Sequence, residues 1–397
     1  MKKRVFIAAG LIAFSAATFT SCDKDKDEDK DKLVEMADSV AIDAEYNSAY
    51  AKQWGNYMRT VATLLKTDSD NLYAYWNDSY EGGESYAKRF LSHEGAGFKS
   101  SKDCVEQIID GCIDIANEVS DTKIGSPVEL FATDPVNAVL QVESWFSWHS
   151  RVDFTNNITS VKNAYYGSLD NIINANSISK VINGKNAELD AKVIAAIKDA
   201  QDAIMAIPQP FRNNLASKEA QTAIVKCADL RDVLDKELKT FIDDNLADYD
   251  WDAVLSQYVN NVVLPTYKSL KDRNTELYDA VVAFEKNPSD DGFSKCADAW
   301  VAARTPWESS EAFLFGPVAD KGLDPNMDSW PLDLSGIVTI FNTQSWGELE
   351  WSGDYEEIPE GEDGTKHAQD IASAQNLRGF HTLEYLIFKD GKARTIH

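Results

Sequence analysis

The sequence lacks the patterns that mark the common catalytic centres. It has no HExxH motif, no GxSxG elbow and no glycine-rich loop for phosphates or dinucleotides, which excludes the usual zinc-protease, serine-hydrolase and nucleotide-binding templates. Basic residues are also scarce, since 39 Lys and Arg stand against 65 Asp and Glu and give a net charge of −26. Such a surface argues against nucleic-acid binding, because phosphates need basic partners.

Cysteine is equally scarce, with five in 397 residues. Four of them form no CxxC pair: Cys104, Cys112, Cys227 and Cys296. A thiolate zinc site is therefore not expected. Cys104 and Cys112 could pair only if the fold brought them together, which one straight helix would prevent. The pattern leaves their redox state open.

The N-terminal segment has the pattern of an export signal. Three basic residues (2–4) precede an apolar run (5–19) that is too short to span a membrane. The following "FTSC" resembles a lipoprotein cleavage box, which predicts a signal peptide at 1–21 and lipidation of Cys22. An ordinary signal with an incidental cysteine is the alternative. Loss of three positive charges would leave the mature chain with a net charge of −29.

Beyond Cys22, residues 22–33 form a charged tether, "DKDKDEDKDK". The tether lacks the turn glycine and the distal glutamate of an EF-hand, so a calcium loop is not expected.

The rest of the chain predicts an all-α fold. Apolar residues recur every three or four positions in 186–207, 221–242 and 251–286, as in amphipathic helices. Pro265 should kink or divide the last of these. Patterns typical of strands and hairpins are hard to find, and 346–366 is expected to be an acidic surface loop. These features favour antiparallel helical bundles.

The stretch "NLRGFHTLEYLIF" (376–388) places two polar residues, His381 and Glu384, in an apolar run. Residues three apart share one face of a helix, so both side chains can point into one cavity. Imidazole and carboxylate are ligands for iron, zinc or another divalent ion, but two ligands do not complete a site. From this helix alone, a structural hydrogen-bonded pair is the favoured alternative. Gly379 indicates a close approach of another backbone or a ligand, or an ordinary helix start.

Two further segments combine charged and aromatic residues. In 303–333, rings surround four charged side chains: Arg304, Glu311, Asp328 and Asp333. In 142–167, the corresponding residues are Glu143, His149 and Asp153. A polar site walled by rings would need such a composition. An aromatic core is the alternative, and it is the preferred interpretation for His149.

The motif "GFHTLE" (379–384) has the form Gly-x-His-x-x-Glu. This form resembles the signature of the imelysin-like proteins, historically grouped as a metallopeptidase family. The segments "ARTPWESSEAFLFGP" and "DSWPLD" resemble the part of that family that precedes the signature. "VESWFSWHSRVDFTNNITSVKNAYYG" and "AIMAIPQPF" resemble its later half. The resemblance covers most of the chain beyond the tether.

The resemblance implies two helical-bundle domains, export to the periplasm or outer membrane, and a role in iron uptake. By position, it implies a site made of the following residues: His381, Glu384, Gly379, Arg304, Glu311, Trp330, Asp333, Glu143 and Asp153.

The two blocks stand in reversed order relative to that family. Residues 34–244 resemble its later half, and residues 245–397 carry the signature. This order predicts a circular permutation with the export signal kept in front. Permuted chains need neighbouring ends, so His397 is expected within a short-loop distance of Leu33.

Together these observations predict a lipoprotein of the cell envelope, at the outer membrane and facing the periplasm or the cell surface. It is expected to bind a metal ion, with iron as the first expectation and zinc as the alternative. The expected ligands are His381, Glu384, Glu311 and Asp333, while Arg304 would orient an acid or a bound anion. Iron or chelated iron and envelope uptake proteins are the expected partners.

Two other functions remain open at this point. In a metallopeptidase, Glu384 or Glu311 would activate a metal-bound water, but the helix offers no second histidine and no recognisable general base. In a protein–protein scaffold, the His381–Glu384 pair would be structural only.

Overall fold

The computed structural model describes residues 30, 32–37, 46–93, 97–350 and 374–396. The predicted signal peptide, Cys22, nearly all of the tether, His397 and positions 351–366 of the acidic loop lie outside the described residues. Helices dominate the described chain, and its only strands are the antiparallel pair Phe388–Lys389 (β1) and Lys392–Ala393 (β2). The prediction of an all-α fold is therefore confirmed.

The α-helices in the described ranges follow in this order: α1 Ala51–Asn77, α2 Tyr86–Ser92, α3 Ser101–Glu118, α4 Ser126–Leu130, α5 Pro135–Leu140, α6 Ser150–Tyr166, α7 Ile178–Lys185, α8 Ala187–Ala206, α9 Lys218–Asp232, α10 Thr240–Asn245, α11 Asp252–Tyr258, α12 Leu264–Lys286, α13 Asp290–Glu308, α14 Pro317–Asp320, α15 Leu323–Asp328, α16 Leu334–Thr343 and α17 Phe380–Ile387. Three π-type stretches join consecutive helices: Val119–Gly125, Val233–Lys239 and Val259–Val263. Short 3₁₀ turns lie at Ser48–Tyr50, Phe211–Asn213, Glu311–Phe313 and Trp346–Glu350.

Local sequence explains several helix boundaries. Asn186 caps α8 by accepting a hydrogen bond from the Leu189 amide, and Ser289 caps α13 in the same way from Gly292. Pro265 is the second residue of α12, directly after the π-type stretch Val259–Val263. The proline therefore divides α11 from α12 by a change of hydrogen-bond pattern, without a loop.

Two groups of helices form the described core. In one, α1 packs along α12, α12 packs on α13, and α17 contacts both α1 and α13. In the other, α3, α6, α8 and α9 pack on one another, and α6 also contacts α13. Helix α1 comes from the predicted first block, yet it packs on α12 from the second. The domain division at 244/245 stays a prediction.

Two further features bear on the predictions. Cys104 and Cys112 lie on the same helix, α3, and the four cysteines of the described ranges are free and buried. Among the described helices, none combines the length and the apolar composition needed to cross a bilayer.

Candidate functional site

The signature helix α17 is buried along its whole length, and all eight of its side chains are buried. Such a helix must find partners for its terminal backbone groups inside the protein. Trp300 Nε1 donates to the Phe380 carbonyl at 2.9 Å, and Trp54 Nε1 donates to the Leu386 carbonyl at 3.1 Å. Arg394 donates twice to the Tyr385 carbonyl from beyond the β1–β2 hairpin. Both ends of α17 are thus fixed.

Gly379 sets the entry of the chain into this helix. Its φ of +90° lies in a backbone region that residues other than glycine rarely adopt. A Cβ atom at this position would also lie only 2.4 Å from the Met327 carbonyl oxygen. Of the interpretations that the sequence left open, the structure therefore shows the close approach of another backbone. This contact brings the end of α15 against the start of α17.

His381 and Glu384 form a directed pair. The Nδ1 atom of His381 lies 2.9 Å from Oε2 of Glu384, and Oε1 of Glu384 accepts from both the amide (2.8 Å) and the hydroxyl (2.7 Å) of Ser147. Because Oε2 faces Nδ1, that nitrogen donates to the carboxylate and Nε2 is the outward atom of the ring. Nε2 lies 3.1 Å from Oδ1 of Asp328. Glu384 therefore orients the imidazole in this structure, and the ligand role expected for it stays a prediction.

Arg304 lies at the centre of the cluster and is fully buried. Its Nη2 atom lies 2.7 Å from Oε1 of Glu143, 2.5 Å from Oε1 of Glu308 and 3.3 Å from Nε2 of His381. Its Nη1 atom donates to Asp328, and its Nε atom lies 3.5 Å from Oδ2 of Asp153. One guanidinium thus joins residues from five separate parts of the chain.

Lys123, on the π-type stretch Val119–Gly125, is a second buried cation. Its Nζ atom lies 2.9 Å from Oε2 of Glu143 and 3.7 Å from Oε1 of Glu118. Carboxylates nevertheless outnumber these two cations, for seven acids interact electrostatically with Arg304 or Lys123: Glu118, Glu143, Asp153, Glu308, Glu311, Asp324 and Asp328. The cluster therefore carries an excess of acidic groups.

The pKa values reflect this excess. Desolvation of its carboxyl group, with a contribution from the neighbouring Asp328, raises the pKa of Asp324, although the residue as a whole is exposed. Burial also raises the pKa of Glu308 and of Glu311 well above the usual range, although Arg304 and Lys123 respectively act to lower them. For Asp328 burial acts upward too, but Arg304 and His381 outweigh it and hold the pKa below its usual range. Part of the cluster therefore keeps protons that a bound cation could replace.

The pKa of His381 also indicates that this part of the cluster stabilises positive charge. Burial and the nearby Arg304 lower the pKa of His381, but hydrogen bonds to Asp328 and Glu384 outweigh them and raise it to about 9. The surroundings of Nε2 thus stabilise a cation at that atom. A metal ion could take the place of this proton, since both bind the same lone pair.

The cluster offers two groups of potential ligands, which share Asp328. One ligand atom each from Glu143, Asp328 and His381 lies within 4.8 Å of the others, and the same holds for Glu308, Glu311 and Asp328. The first group combines imidazole with carboxylates and suits Fe or Zn, while the second offers oxygen alone. The ring of Trp330 covers His381 at a centroid distance of 4.9 Å.

A cavity of about 870 Å³ reaches this cluster. Carboxylates dominate its polar wall, with Glu143, Glu311 and Asp328 at the cluster and Asp324 nearby, and Trp330 lies at its edge. His381 is not among the lining residues. A ligand in the cavity would therefore meet carboxylates before it meets the imidazole.

Most of the site residues expected from the sequence come together in the structure. The structure joins His381, Glu384, Arg304, Glu143 and Asp153 in one network, with Glu311 beside it.

Asp333 is an exception, because its carboxylate caps α16 by accepting from the Gly336 amide (2.9 Å) and the Ser335 hydroxyl (2.8 Å). Asp328 occupies the place expected for it. His149 bonds to Asp153 at 2.9 Å and packs on Trp300, in keeping with the structural role expected for it.

Sequence reasoning missed Glu308 and Lys123. Glu308 follows Arg304 by four residues, a helical spacing that places acid and base on one face and could have revealed it. Lys123 carries no such signal, because its partner Glu143 follows only after the two helices α4 and α5.

Several known proteins resemble this chain in sequence or in fold. The family model described as "Imelysin" matches residues 27–236 and 263–397. A solved structure of an imelysin peptidase from Bacteroides ovatus is 52% identical, with a TM-score of 0.84 over 89% of this chain and 99% of that one.

Two proteins with iron-related names are also similar to parts of the chain. Iron-regulated protein A of Synechococcus elongatus is 30% identical over 132 residues, which span 33% of this chain and only 30% of that protein. A putative iron-regulated protein A precursor from Parabacteroides distasonis is 32% identical over 48% of this chain and 52% of that one, with a TM-score of 0.38.

Proposed function

Since this chain belongs to the imelysin family, we propose that it binds a metal ion, with iron as its cargo, at Glu143, Asp328 and His381. The observation that carries the proposal is the buried arrangement of these three residues around Nε2 of His381. Carboxylates outnumber the buried cations there, so a metal ion would offset unbalanced charge. The name of the Synechococcus relative supports iron as the cargo.

Arg304 fits this role as a replaceable counter-cation. In the structure its guanidinium contacts Glu143, Asp328 and His381, which are the proposed ligands. It also contacts Glu308 and Asp153. The guanidinium therefore keeps at least Asp153 as an acidic partner when the ligands turn to an ion, so loading would not leave its buried charge unpaired.

Calorimetric titration of the mature protein with Fe²⁺ under anaerobic conditions, Fe³⁺ and Zn²⁺ tests the proposal. The variant His381→Asn keeps a donor near Glu384 but removes Nε2, and it should abolish binding at this position. The matched control is His93→Asn, which removes another imidazole paired to an acid, His93 Nε2 being 3.0 Å from Asp252. Asn is also compatible with the positive φ of His93.

Two outcomes would count against the proposal. Equal binding by wild type and His381→Asn would place the ion elsewhere. A His381→Asn protein that is less stable but loses no ligand affinity would favour the structural pair.

Peptidase activity is the second candidate, and the name of the Bacteroides structure carries it. A metallopeptidase needs a metal-bound water that reaches the substrate. His381 is fully buried under Trp330 and does not line the cavity, which favours ion binding over peptide cleavage. Cleavage of an unstructured protein such as casein by the metal-loaded wild type, and not by His381→Asn, would reverse this preference.

We further propose a lipid-anchored place in the cell envelope, supported by the basic start, the apolar run and Cys22. The test is expression of the full chain in a Gram-negative bacterium, with fractionation of membranes and mass spectrometry of the mature N-terminus. Wild type should sediment with membranes and carry acyl groups on Cys22. Cys22→Ala should lack them, and an unmodified, soluble wild type would overturn the proposal.

A further inference from the structure

The most unusual acid of the cluster is Glu311. It lies on the 3₁₀ turn Glu311–Phe313, its residue is 8% exposed, and it lines the large cavity. Among the described residues, no hydrogen bond or ion pair reaches its carboxylate within bonding distance. A largely buried carboxylate that faces the cavity without a protein partner calls for an explanation beyond packing.

The turn that carries Glu311 is held rigidly. The Ala312 amide donates to Oγ of Ser160 at 2.9 Å, and the Phe313 carbonyl accepts from the hydroxyl of Tyr267 at 2.9 Å. The Ala312 carbonyl also lies so close to Gly111 that a Cβ atom on that glycine would be 2.1 Å away. The backbone that directly follows Glu311 is therefore fixed, as a preformed ligand position requires.

Two further carboxylates converge on the same point. Oxygen atoms of Glu308, Glu311 and Asp328 lie within 4.8 Å of one another. Glu308 ends α13 three residues before Glu311, and Asp328 ends α15. We propose that these three residues form a second cation position, on the cavity side of Arg304, which shares Asp328 with the His381 position.

The donor set defines the class of ion. Carboxylate oxygens alone suit hard cations such as Mn²⁺, Ca²⁺ or Mg²⁺, whereas the imidazole of the first position suits softer ions. The charges leave room for both, because seven carboxylates surround only Arg304 and Lys123. This inference rests on the proposed cation-binding function, but the experiment can reject either ion position without rejecting the other.

Mn²⁺ is a suitable probe, because its electron paramagnetic resonance spectrum reports coupling between two ions bridged by a carboxylate. The full mature chain should bind about two Mn²⁺ and show a coupled spectrum at saturation. Glu311→Gln, which keeps the shape and removes the charge, should bind about one and show only uncoupled Mn²⁺. His381→Asn should also bind about one, at the carboxylate position.

The matched control is Glu81→Gln. Its side chain is 52% exposed and lies on the wall of the same cavity, away from the three carboxylates. It removes one negative charge from the cavity and should leave the number of bound ions unchanged. If this control also lost one ion, binding would depend on the total negative charge of the cavity and not on the three carboxylates, and the proposal would be overturned.

The remaining outcomes separate the two proposals. One ion lost in His381→Asn and kept in Glu311→Gln would overturn the second position and leave the first intact. One ion lost in Glu311→Gln and kept in His381→Asn would support the second position and show that Mn²⁺ does not use the first, which the titrations with Fe²⁺, Fe³⁺ and Zn²⁺ then decide. No binding of Mn²⁺ by the wild type would refute the second position.

A stability measurement shows whether the variant is folded. Without metal, Glu311→Gln should unfold at a higher urea concentration than wild type, because it removes a buried, unpaired acid. With saturating Mn²⁺ the order should reverse, because only the wild type gains the second ion. An order that does not depend on Mn²⁺ would contradict the second position.

Discussion

Asp68 and Arg378 form a buried ion pair although 310 residues separate them in the chain. Asp68 belongs to α1, and Arg378 immediately precedes the Gly379 turn into the signature helix. The pair therefore fastens the first long helix to the segment that carries His381.

Removal of one partner should be strongly destabilising. Asp68→Ala leaves a buried guanidinium without its acid and is expected to lower the free energy of unfolding by about 3–5 kcal/mol. The double variant Asp68→Leu/Arg378→Met removes both charges and should lose much less. Urea unfolding followed by circular dichroism measures both, and equal losses in the two proteins would show that the pairing itself contributes little.

Glu384→Gln should weaken metal binding although it removes no ligand. The Ser147 amide always donates, so the carboxamide oxygen of the variant must face Ser147 and its NH₂ group must face Nδ1 of His381. That arrangement moves the imidazole proton to Nε2, the atom that a metal would need. We expect an affinity loss of about 10–100-fold, measured by calorimetry. Ser147→Ala keeps the donating amide and should have a much smaller effect.

Gly379→Ala should be destabilising for two reasons, the positive φ and the Met327 carbonyl in the way of a Cβ atom. The expected loss exceeds about 1 kcal/mol. The matched control is Gly184→Ala in α7, where a Cβ atom meets open space; there a gain of roughly 0.5–1 kcal/mol is expected. Urea midpoints would test both, and similar shifts for the two variants would contradict the close backbone approach at Gly379.

The pair His149–Asp153 should make stability depend on pH. Burial and, to a smaller extent, the nearby Arg304 act to lower the pKa of His149. Asp153, with a smaller contribution from Glu384, outweighs them, so the pKa of His149 is raised. Since the folded-state pKa is the higher one, the stabilisation is complete below the unfolded value of about 6.5 and is lost as the pH rises through the folded-state value. The stability difference between wild type and His149→Gln should therefore shrink with rising pH. A difference that grows instead would refute this assignment.

The sequence predicts the helices well because their apolar spacing and caps are local. The helical spacing of 186–207 and the cap at Asn186 correspond closely to α8. In the signature motif, the spacing of three residues also places His381 and Glu384 on one face of a helix.

The site was harder to predict, because its ligands converge only after folding. Asp333 carries a local signal that points away from the site, since an Asp before a helix is a typical N-cap. The orienting role of Glu384 depends on Ser147, which lies 237 residues away and cannot be read from the motif.

The predicted circular permutation stays a prediction, because His397 lies outside the described residues. Two contacts involve residues on either side of the expected junction. The ring of Tyr46 lies 5.4 Å from that of Phe293, and the Ile396 amide donates to Asp290 at 2.8 Å. Residues near both ends of the family-like chain thus contact the first turn of α13.

The central position of Arg304 has a consequence for how the protein would work as a carrier. Without a cation of its own, a pocket of acids would expand through mutual repulsion or take up protons, and a small pH change would alter its shape. Here the chain supplies a permanent positive charge, attached to α13 and unable to diffuse away. If the proposed ion binding holds, the empty site would already be close in shape to the loaded one, so uptake and release would not require refolding.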